Sequence, residues 1–217
     1  MSGLPASTFS NTSTGSKPAD PYKQHNKTDD EHISLKQKVE DLVEFVEGLK
    51  YGMLTTHQTD TGMLVSRCMA IAAKENGVDL LFHTNTETGK TDEIKSDQHV
   101  NVAFIKPSTG DWASISGTAT IETDREKVKK YYSQQLKTWV GDLGDGIHDG
   151  SANDPRIGII KVSMVTATYS LAKGTAVSRG IEMAKGAVTG KAASVTRLRE
   201  LHPDEVMQYR NLCSSSS

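Results

Sequence analysis

An arginine and a lysine, separated in sequence by a polar loop, are the residues of this chain best suited to bind an anion. Arg67 lies in the apolar segment from residue 63 to residue 73, and Lys90 ends the loop Thr84-Asn85-Thr86-Glu87-Thr88-Gly89. The loop offers hydroxyls, a side-chain amide and a glycine that permits close backbone approach. A guanidinium and an ammonium beside such donors suit a phosphate, which accepts more hydrogen bonds than one residue can donate.

A salt bridge would explain the same two charges without any ligand. Arg67 could pair with Glu87 or Asp92, and Lys90 would then be a solvated residue of the following helix. Taken alone, the segment does not separate this interpretation from anion binding. The arrangement of the strands around Arg67 favours the ligand.

Nucleotide triphosphate binding is a weaker interpretation of the loop. Gly89-Lys90-Thr91 resembles the end of a glycine-rich triphosphate loop, but that motif also requires a glycine at the position of Thr84. No acidic residue follows an apolar parallel strand downstream, as the magnesium-binding element of such proteins would require. We therefore expect a phosphorylated cofactor other than a nucleotide triphosphate.

A strand hairpin around Asn76-Gly77 must position Arg67. Asn-Gly between two apolar runs predicts a type I′ turn, because both central residues need positive φ angles. The register implied by this turn pairs Ala73 with Leu80, Ile71 with Phe82 and Met69 with Thr84. Arg67 would point to the same face, level with Thr86 at the mouth of the polar loop.

The patterns outside the hairpin predict a mainly β fold of the α+β class. A capping box from Ser34 to Gln37 precedes an amphipathic helix that should end near Gly48. Further helices are predicted over residues 89–97, from Asp124 to about residue 139, and from about residue 195 to residue 212. The predicted strands are residues 51–57, 63–73, 78–85, 99–106, 112–123 and 157–171. Six strands with mostly short connections favour a six-stranded antiparallel β-barrel with flanking helices.

The chain length predicts one domain with polar ends. Residues 1–30 contain few apolar side chains and are expected to form a flexible N-terminal tail, residues 31–173 the barrel domain, and residues 174–217 a C-terminal extension with a helix and a disordered end. Two cysteines and the lack of an apolar signal core predict a reducing compartment, the cytoplasm. No apolar run reaches the roughly 18 residues of a membrane span.

Charge and residue spacing argue against several other classes of protein. The formal net charge is −2 and no basic stretch carries interleaved aromatic residues, so we expect no nucleic-acid partner. The seven histidines are scattered and the two cysteines lie far apart in sequence, so we expect no metal site. No serine has an identifiable His/Asp partnership, and we nominate no catalytic residue.

Four segments together resemble a known family. They are Ser66-Arg67-Cys68-Met69-Ala70, the stretch from Leu81-Phe82-His83-Thr84-Asn85 to Lys90, Asn101-Val102-Ala103-Phe104, and Ser114-Ile115-Ser116-Gly117. This set resembles the general stress protein branch of the pyridoxamine 5′-phosphate oxidase-like family, the FMN-binding split barrels, and within it the blue-light-inducible stress proteins of filamentous fungi. The likeness covers residues 34 to 171 and departs from the family at Cys68, where proline is typical.

The resemblance implies a homodimer with FMN, a flavin cofactor, at the subunit interface. The family's phosphate-binding positions correspond to Arg67, Thr84, Asn85 and Lys90, with Thr88 and Gly89 in the same loop. Ser66, Cys68 and Met69 would run beside the isoalloxazine ring, mainly through backbone contacts, and Trp112 and Trp139 would cover the flavin from the partner subunit.

Two functions are consistent with this resemblance. The first is a flavin-dependent oxidoreductase of unknown substrate, in which FMN carries the redox chemistry and the protein supplies orientation. The second is a non-catalytic FMN-binding protein that sequesters flavin or serves in signalling, with a protein partner recruited through the tails. True pyridoxamine phosphate oxidase activity would require a second phosphate site near the flavin, and the sequence offers none that we can identify.

Overall fold

A computed structural model describes residues 33–215, so the predicted flexibility of residues 1–30 lies outside the described part of the chain. The strands are β1 (Tyr51–His57), β2 (Leu64–Glu75), β3 (Asp79–Asn85), β4 (His99–Lys106), β5 (Asp111–Glu122), β6 (Ile157–Ala172) and β7 (Thr196–Leu201). The helices are α1 (Leu35–Leu49), α2 (Gly89–Ser96), α3 (Arg125–Tyr131), α4 (Gln135–Val140), α5 (Ala176–Thr189) and α6 (Pro203–Ser214).

The strands form an antiparallel barrel. Their order is β3-β2-β1-β4-β5-β6-β7, and an additional pairing of β3 with β6 closes the first six strands on one another. This closure confirms the prediction of a six-stranded antiparallel barrel with flanking helices. The seventh strand extends the sheet beyond β6, whose residues 157–162 pair with β3 and whose residues 167–172 pair with β7.

The barrel is split between β2 and β3. Residues 71–75 of β2 pair with β3, whereas Leu64–Ala70 pair with β1 alone among the described residues. On the other side, residues 83–85 of β3 pair only with β6. We call the gap between these two half-strands the slit. Arg67 lies in the half of β2 that borders it.

The hairpin between β2 and β3 has the predicted turn but not the full predicted register. Asn76 and Gly77 have φ angles of 49° and 78°, and the backbone N–H of residue 78 donates to the carbonyl of residue 75 at 3.1 Å. Ile71 pairs with Phe82 as predicted, but Ala73 lies opposite residue 81 rather than residue 80. The shift begins at the turn, where Glu75 lies opposite Asp79, and a β-bulge between residues 71 and 73 restores the predicted register at Ile71. The predicted pairing of Met69 with Thr84 is absent, since the strands have already diverged at the slit.

Helix α1 begins where the capping pattern predicts. The Ser34 hydroxyl accepts a hydrogen bond from the N–H of Gln37 at 3.2 Å, and the helix ends at Leu49, followed by Lys50 with a φ of 63°. Its buried face consists of Val39, Leu42 and Val46. These side chains join the barrel core, which is the larger of two clusters of buried apolar residues.

The helix predicted from Asp124 to residue 139 is interrupted. Its start is confirmed, because the Asp124 carboxylate accepts from the N–H of Lys127 at 2.9 Å. Tyr132 then adopts an extended conformation, and its hydroxyl donates to the carbonyl of Gly150 at 2.8 Å. The chain therefore forms two short helices, α3 and α4. Together they cover a smaller core cluster formed by Leu81, Val128, Ile157 and Ile159.

The helix predicted from residue 195 begins later. Residues 196–201 form strand β7, and helix α6 starts at Pro203. Proline suits the first position of a helix, because an N–H at that position would have no acceptor within the helix. Leu198, Leu201 and Val206 are buried. The boundary predicted between residues 173 and 174 remains a prediction, and β7 packs on the barrel across it.

Candidate anion-binding site

Arg67 reaches from β2 to two neighbouring elements. Ser66 and Cys68 are exposed whereas Arg67 is half-buried, so its side chain points to the inner side of the strand. Its guanidinium donates to the hydroxyl of Thr56 on β1 at 2.8 Å and to the Glu93 carboxylate on α2 at 2.7 Å. The Thr56 hydroxyl donates in turn to the second oxygen of Glu93 at 2.6 Å. Three side chains from three elements thus form a closed ring of hydrogen bonds.

Glu93 is the carboxylate partner of Arg67, and sequence reasoning missed it. The salt-bridge alternative named Glu87 and Asp92, whereas the structure pairs Arg67 with Glu93, whose side chain is only 8% exposed. Burial alone would raise the pKa of Glu93. Hydrogen bonds from Arg67 and Thr56 and the nearby positive charges outweigh burial and lower the pKa below its usual value. Glu93 is therefore a buried anion at neutral pH.

The ion pair leaves Arg67 able to bind a further anion. A guanidinium has five N–H donors, and contacts among the described residues use two of them. The remaining donors are the Nε–H and one N–H on each terminal nitrogen. The side chain is 30% exposed, so part of it is open to solvent. The salt bridge and an anion site are consequently compatible at this residue.

Lys90 adds a second positive charge. Its ammonium donates to the Thr88 hydroxyl at 2.7 Å. Burial lowers the pKa of Lys90, the charge of Arg67 lowers it further, and the charge of Glu93 acts in the opposite direction. With Lys90 protonated, the cluster of Arg67, Lys90 and Glu93 carries one net positive charge. An anion placed between the two cations would relieve their repulsion.

The polar loop is shaped by its own hydrogen bonds. The Asn85 side-chain oxygen accepts from the N–H of Glu87 at 2.9 Å, and the Thr88 hydroxyl donates to the Asn85 carbonyl at 2.8 Å. The hydroxyl of Thr84, a residue only 3% exposed, donates to the same carbonyl at 3.1 Å. Thr91, at the start of α2, donates to the carbonyl of Thr86 at 2.8 Å. Thr84, Asn85 and Thr88 thereby hold the loop in one shape in front of α2.

The loop is also fixed to Arg156, the residue that precedes β6. The N–H and the hydroxyl of Thr86 both donate to the carbonyl of Arg156, at 2.7 and 3.1 Å. Arg156 is itself immobilised by a buried ion pair with Asp154 at 2.7 Å. Hydrogen bonds from Arg156 lower the pKa of Asp154 to about 2. The loop position therefore depends on an ion pair that has no direct contact with the anion cluster.

A glycine allows the loop to lie this close to β6. A Cβ atom at Gly158 would come within 2.6 Å of the Thr86 side chain and 3.2 Å of the Glu122 carbonyl. Real Cβ atoms do not tolerate the first of these distances, so any larger residue would displace the loop or the strand. At Gly89, by contrast, a Cβ atom would meet no other atom within 4 Å. The helix start is therefore open to an incoming ligand.

The residues predicted to contact a flavin ring lie on both sides of β2. Ser66 and Cys68 are exposed on its outer face, where the Ser66 hydroxyl lies 2.8 Å from that of Thr55. Met69 is half-buried against the barrel core. All three belong to the half-strand that borders the slit, but backbone groups alternate between the two edges of an antiparallel strand. The N–H of Ile71 donates to the carbonyl of Lys50 at 2.9 Å, so the backbone groups of Met69 face β1 in the same way and those of Ser66 and Cys68 face the slit.

The two tryptophans are not brought to Arg67 within one chain. Trp112 pairs with Ile105 of β4 and Ser170 of β6, so β4 and β1 separate it from β2. Trp139 projects from α4 with 87% of its side chain exposed. Their predicted contact with a flavin would require a second copy of the chain.

Metal-ligand clusters and membrane-spanning helices are both absent from residues 33–215. Among residues 33–215, no three His, Cys, Asp or Glu side chains are grouped closely enough to hold a metal ion. None of the helices in this range combines the length and apolar character needed to cross a bilayer.

Comparison with known proteins identifies relatives along most of the chain. Residues 37–194 match the model of the family described as pyridoxamine 5′-phosphate oxidase like. The protein bli-3 of Neurospora crassa is 54% identical over 204 residues, which cover 94% of this chain and 97% of that protein. This match confirms the resemblance to the fungal proteins.

Solved structures with low sequence identity share the fold. A protein of Clostridium acetobutylicum related to general stress protein 26 has a TM-score of 0.56 at 16% identity, with 80% of this chain and 99% of that chain covered. A pyridoxamine 5′-phosphate oxidase-related, FMN-binding protein of Nostoc punctiforme has a TM-score of 0.52 at 13% identity, with 65% and 87% covered. The family match and the identity to bli-3 together show that the chain belongs to the pyridoxamine 5′-phosphate oxidase-like family.

Proposed function

We propose that this chain is an FMN-binding stress-response flavoprotein that acts as a flavin-dependent oxidoreductase. The observation that carries the proposal is the cluster of Arg67 and Lys90 beside the start of α2, with N–H donors left over after the protein's own contacts. A phosphate monoester suits this donor set, because one fork of N–H groups, an ammonium and a helix N-terminus all favour a doubly charged oxyanion.

The slit provides a place for the flavin ring. Leu64–Ala70 have one strand edge without a partner among the described residues, and this edge begins next to the phosphate cluster. Backbone N–H and C=O groups along it can pair with the polar edge of an isoalloxazine, as an added strand would. FMN, when bound, supplies hydride and electron transfer, whereas the protein orients the ring and excludes water. The exposed Ser66 and Cys68 would flank the ring.

The proposed assembly is a cytoplasmic homodimer with a flavin at each end of the interface. Trp112 and Trp139 would each contact the flavin held by the other copy, which would explain why a tryptophan is left 87% exposed at position 139. The Nostoc relative is described as FMN binding, and this supports the cofactor. The tails remain candidates for binding a further protein.

Flavin binding is tested by comparing FMN with riboflavin, which has the same ring but no phosphate. In the double variant Arg67→Ala/Lys90→Ala, we expect the FMN dissociation constant to rise roughly a hundredfold or more, because two charge-assisted contacts are lost. Riboflavin affinity should change by no more than about threefold. Fluorescence quenching titration measures both. Lys95→Ala is the matched control, since Lys95 lies on the same helix and is 66% exposed.

Equal losses for FMN and riboflavin would show that the variant damages the fold rather than a phosphate site. A wild-type chain that binds neither flavin would refute the cofactor. Unchanged FMN affinity in the double variant would leave Arg67 with a purely structural salt bridge to Glu93.

Redox activity is tested on the flavin-loaded protein. If the chain is an oxidoreductase, anaerobic addition of NADH or NADPH should bleach the flavin absorbance fast enough to support catalytic turnover. A loaded protein that stays yellow with both donors, yet is reduced by dithionite, would favour the non-catalytic flavin-binding role instead.

A further inference from the structure

Helix α5 has an apolar face that the described residues do not cover. Val177, Ile181, Ala184 and Val188 recur at the spacing of one helical stripe, while the charged residues Arg179 and Glu182 lie away from it. None of the residues of α5 is buried, and Val177 and Val188 are 74% and 88% exposed. A 14-residue helix with two internal glycines is not stable in water by itself. The stripe therefore needs a surface to pack against.

The segment that carries α5 leaves and rejoins the barrel at one point. At its base, the N–H of Lys173 donates to the carbonyl of Val195 at 2.9 Å, and the Lys173 ammonium donates to the Ser194 hydroxyl at 3.0 Å. We call residues 174–195 the α5 arm. The base lies at the end of β6, where the N–H of Ala172 donates to the Asp111 carboxylate at 2.6 Å. The arm thus starts at the end of the barrel where the β4–β5 hairpin lies.

An exposed apolar patch lies at that same end of the barrel. Tyr51 and Ile105 are 61% and 64% exposed. Tyr51 lies two residues before Met53 on β1 and Ile105 two residues after Ala103 on the antiparallel β4, so the register of the Met53–Ala103 pair, continued by two residues, sets them side by side. Met53 is 40% exposed, and Trp112 pairs with Ile105 on the same face. We call Tyr51, Met53, Ile105 and Trp112 the outer patch.

We propose that the α5 arm of one copy packs its apolar stripe on the outer patch of a second copy. The proposal rests on the homodimer of the proposed function, and two features support it. Cys68, on the proposed flavin-binding strand, pairs with Met53, so the outer patch is continuous with the surface that a second copy would cover. In a two-fold symmetric dimer this contact would occur twice, because the arm of each copy would cover the outer patch of the other.

The N-terminal tail is a weaker candidate for covering the stripe. Residues 1–32 contain few apolar side chains among many Ser, Thr, Asn, Lys and Asp residues. Such a sequence offers little area for an apolar contact. A second copy is therefore the occupant to which we commit.

Cysteine cross-linking tests which surface meets the stripe. In full-length protein with Cys68→Ser and Cys213→Ser, the pair Ile181→Cys and Ile105→Cys should form a covalent dimer with a short bismaleimide. The control pair Arg179→Cys and Ile105→Cys places the first thiol on the side of α5 opposite the stripe and should not. Cross-linking within one chain, or equal yields for the two pairs, would overturn the proposal.

Sedimentation velocity tests the energetic role of the stripe with a matched pair of variants. Val188→Asp places a carboxylate on the apolar stripe, and Thr189→Asp places the same group at the same helix end on the polar side. The first should raise the dimer dissociation constant roughly tenfold or more, because a charge would be buried, and the second should leave it nearly unchanged. Equal dissociation constants for the two variants would contradict the proposal.

FMN absorbance, recorded on the same samples, separates this proposal from the proposed function. If the Val188→Asp variant is a yellow dimer with an unchanged dissociation constant, the proposed packing of the α5 arm is refuted while flavin binding is not. A colourless monomer would refute the proposed function and the arm together.

Discussion

At the scale of single residues, the anion cluster combines two cations with one buried carboxylate. Sequence reasoning found Arg67 and Lys90 because positive charges in an apolar strand and in a polar loop require an explanation. It missed Thr56 and Glu93, although Thr56 alternates inward with the buried Leu54 and Glu93 lies one helical turn after Lys90. Their meeting with Arg67 depends on how α2 packs against the barrel, and no local pattern contains that information.

Glu93 should both orient Arg67 and weaken its attraction for phosphate. Glu93→Gln keeps an oxygen that can accept from Arg67 but removes the negative charge, so we expect the FMN dissociation constant to fall roughly threefold to tenfold. Riboflavin affinity should stay the same, because riboflavin carries no phosphate charge. Titration with both ligands at low ionic strength measures the difference.

Glu93→Ala provides the control for orientation. It removes the same charge together with the hydrogen bonds to Arg67 and Thr56, so its FMN affinity should be lower than that of the Gln variant. If Gln and Ala variants bound FMN equally well, Glu93 would have no orienting role. Weaker FMN binding by Glu93→Gln than by wild type would contradict the charge argument.

At the scale of elements, contacts distant in sequence hold the pieces around the slit. Glu75, at the end of β2, receives hydrogen bonds from Lys161 of β6 and from Lys127 and Tyr131 of α3. Burial alone would raise the pKa of Glu75, but these hydrogen bonds outweigh it and lower the pKa to about 2. One carboxylate thus joins three elements beside the hairpin that carries Arg67.

The contribution of Glu75 to stability should depend on pH. Because its pKa is lower in the folded protein, its contribution is complete above its ordinary pKa of 4.5 and is lost as the pH falls through about 2. At pH 7 we expect Glu75→Gln to lower the free energy of unfolding by about 1 to 2 kcal/mol. The difference from wild type should shrink steadily in urea titrations between pH 5 and pH 2.5.

Glu126→Gln is the control for this effect. Glu126 is 83% exposed and pairs only with Lys129 among the described residues, so its removal should change stability little at any pH. A pH-independent difference between Glu75→Gln and wild type would show that the substitution acts through packing.

Gly158 should be essential for the placement of the polar loop. Gly158→Ala introduces a methyl group 2.6 Å from the Thr86 side chain, and we expect a loss of about 1 to 3 kcal/mol in unfolding free energy together with weaker FMN binding. Gly180→Ala is the matched control, because a Cβ atom there meets nothing within 4 Å. Full stability and affinity in Gly158→Ala would mean that the loop adjusts at no cost.

At the scale of the whole molecule, strong local signals were predicted well and long-range ones less well. The barrel, the Asn76-Gly77 turn and the start of α1 follow from periodicity, turn chemistry and capping. The bulge beside Ala73, the break at Tyr132 and the strand β7 were missed. The bulge depends on the detailed geometry of the hairpin, whereas the break and β7 depend on partners farther away in the chain, such as the Gly150 carbonyl that accepts from the Tyr132 hydroxyl.

The C-terminal segment contacts both the barrel and helix α1. In addition to the pairing of β7 with β6, Arg199 forms a buried ion pair with Asp41 of α1, and Arg210 of α6 donates to Asp79 at 2.5 Å. The Asp79 side chain is 3% exposed and also accepts from the backbone N–H of residue 164. These contacts bind both ends of the described chain to the barrel.

Truncation should therefore lower the thermal midpoint strongly at the C-terminal end and hardly at all at the N-terminal end. Removal of residues 174–217 deletes β7 and three buried apolar side chains, and we expect the thermal midpoint to fall by roughly 10 °C or more. Removal of residues 1–30 should shift it by no more than about 2 °C, since these residues are poor in apolar side chains. Differential scanning calorimetry measures both. Equal midpoints for the two truncated proteins would contradict this.

The open edge of the half-strand Leu64–Ala70 also affects how much of the protein escapes aggregation in a cell. An open strand edge is a template on which another chain can add, and an edge of this kind promotes aggregation unless something covers it. If flavin and a second copy cover it, newly made protein stays at risk until both have bound. The supply of riboflavin would then set the amount of intact protein that accumulates, independently of how strongly its gene is expressed.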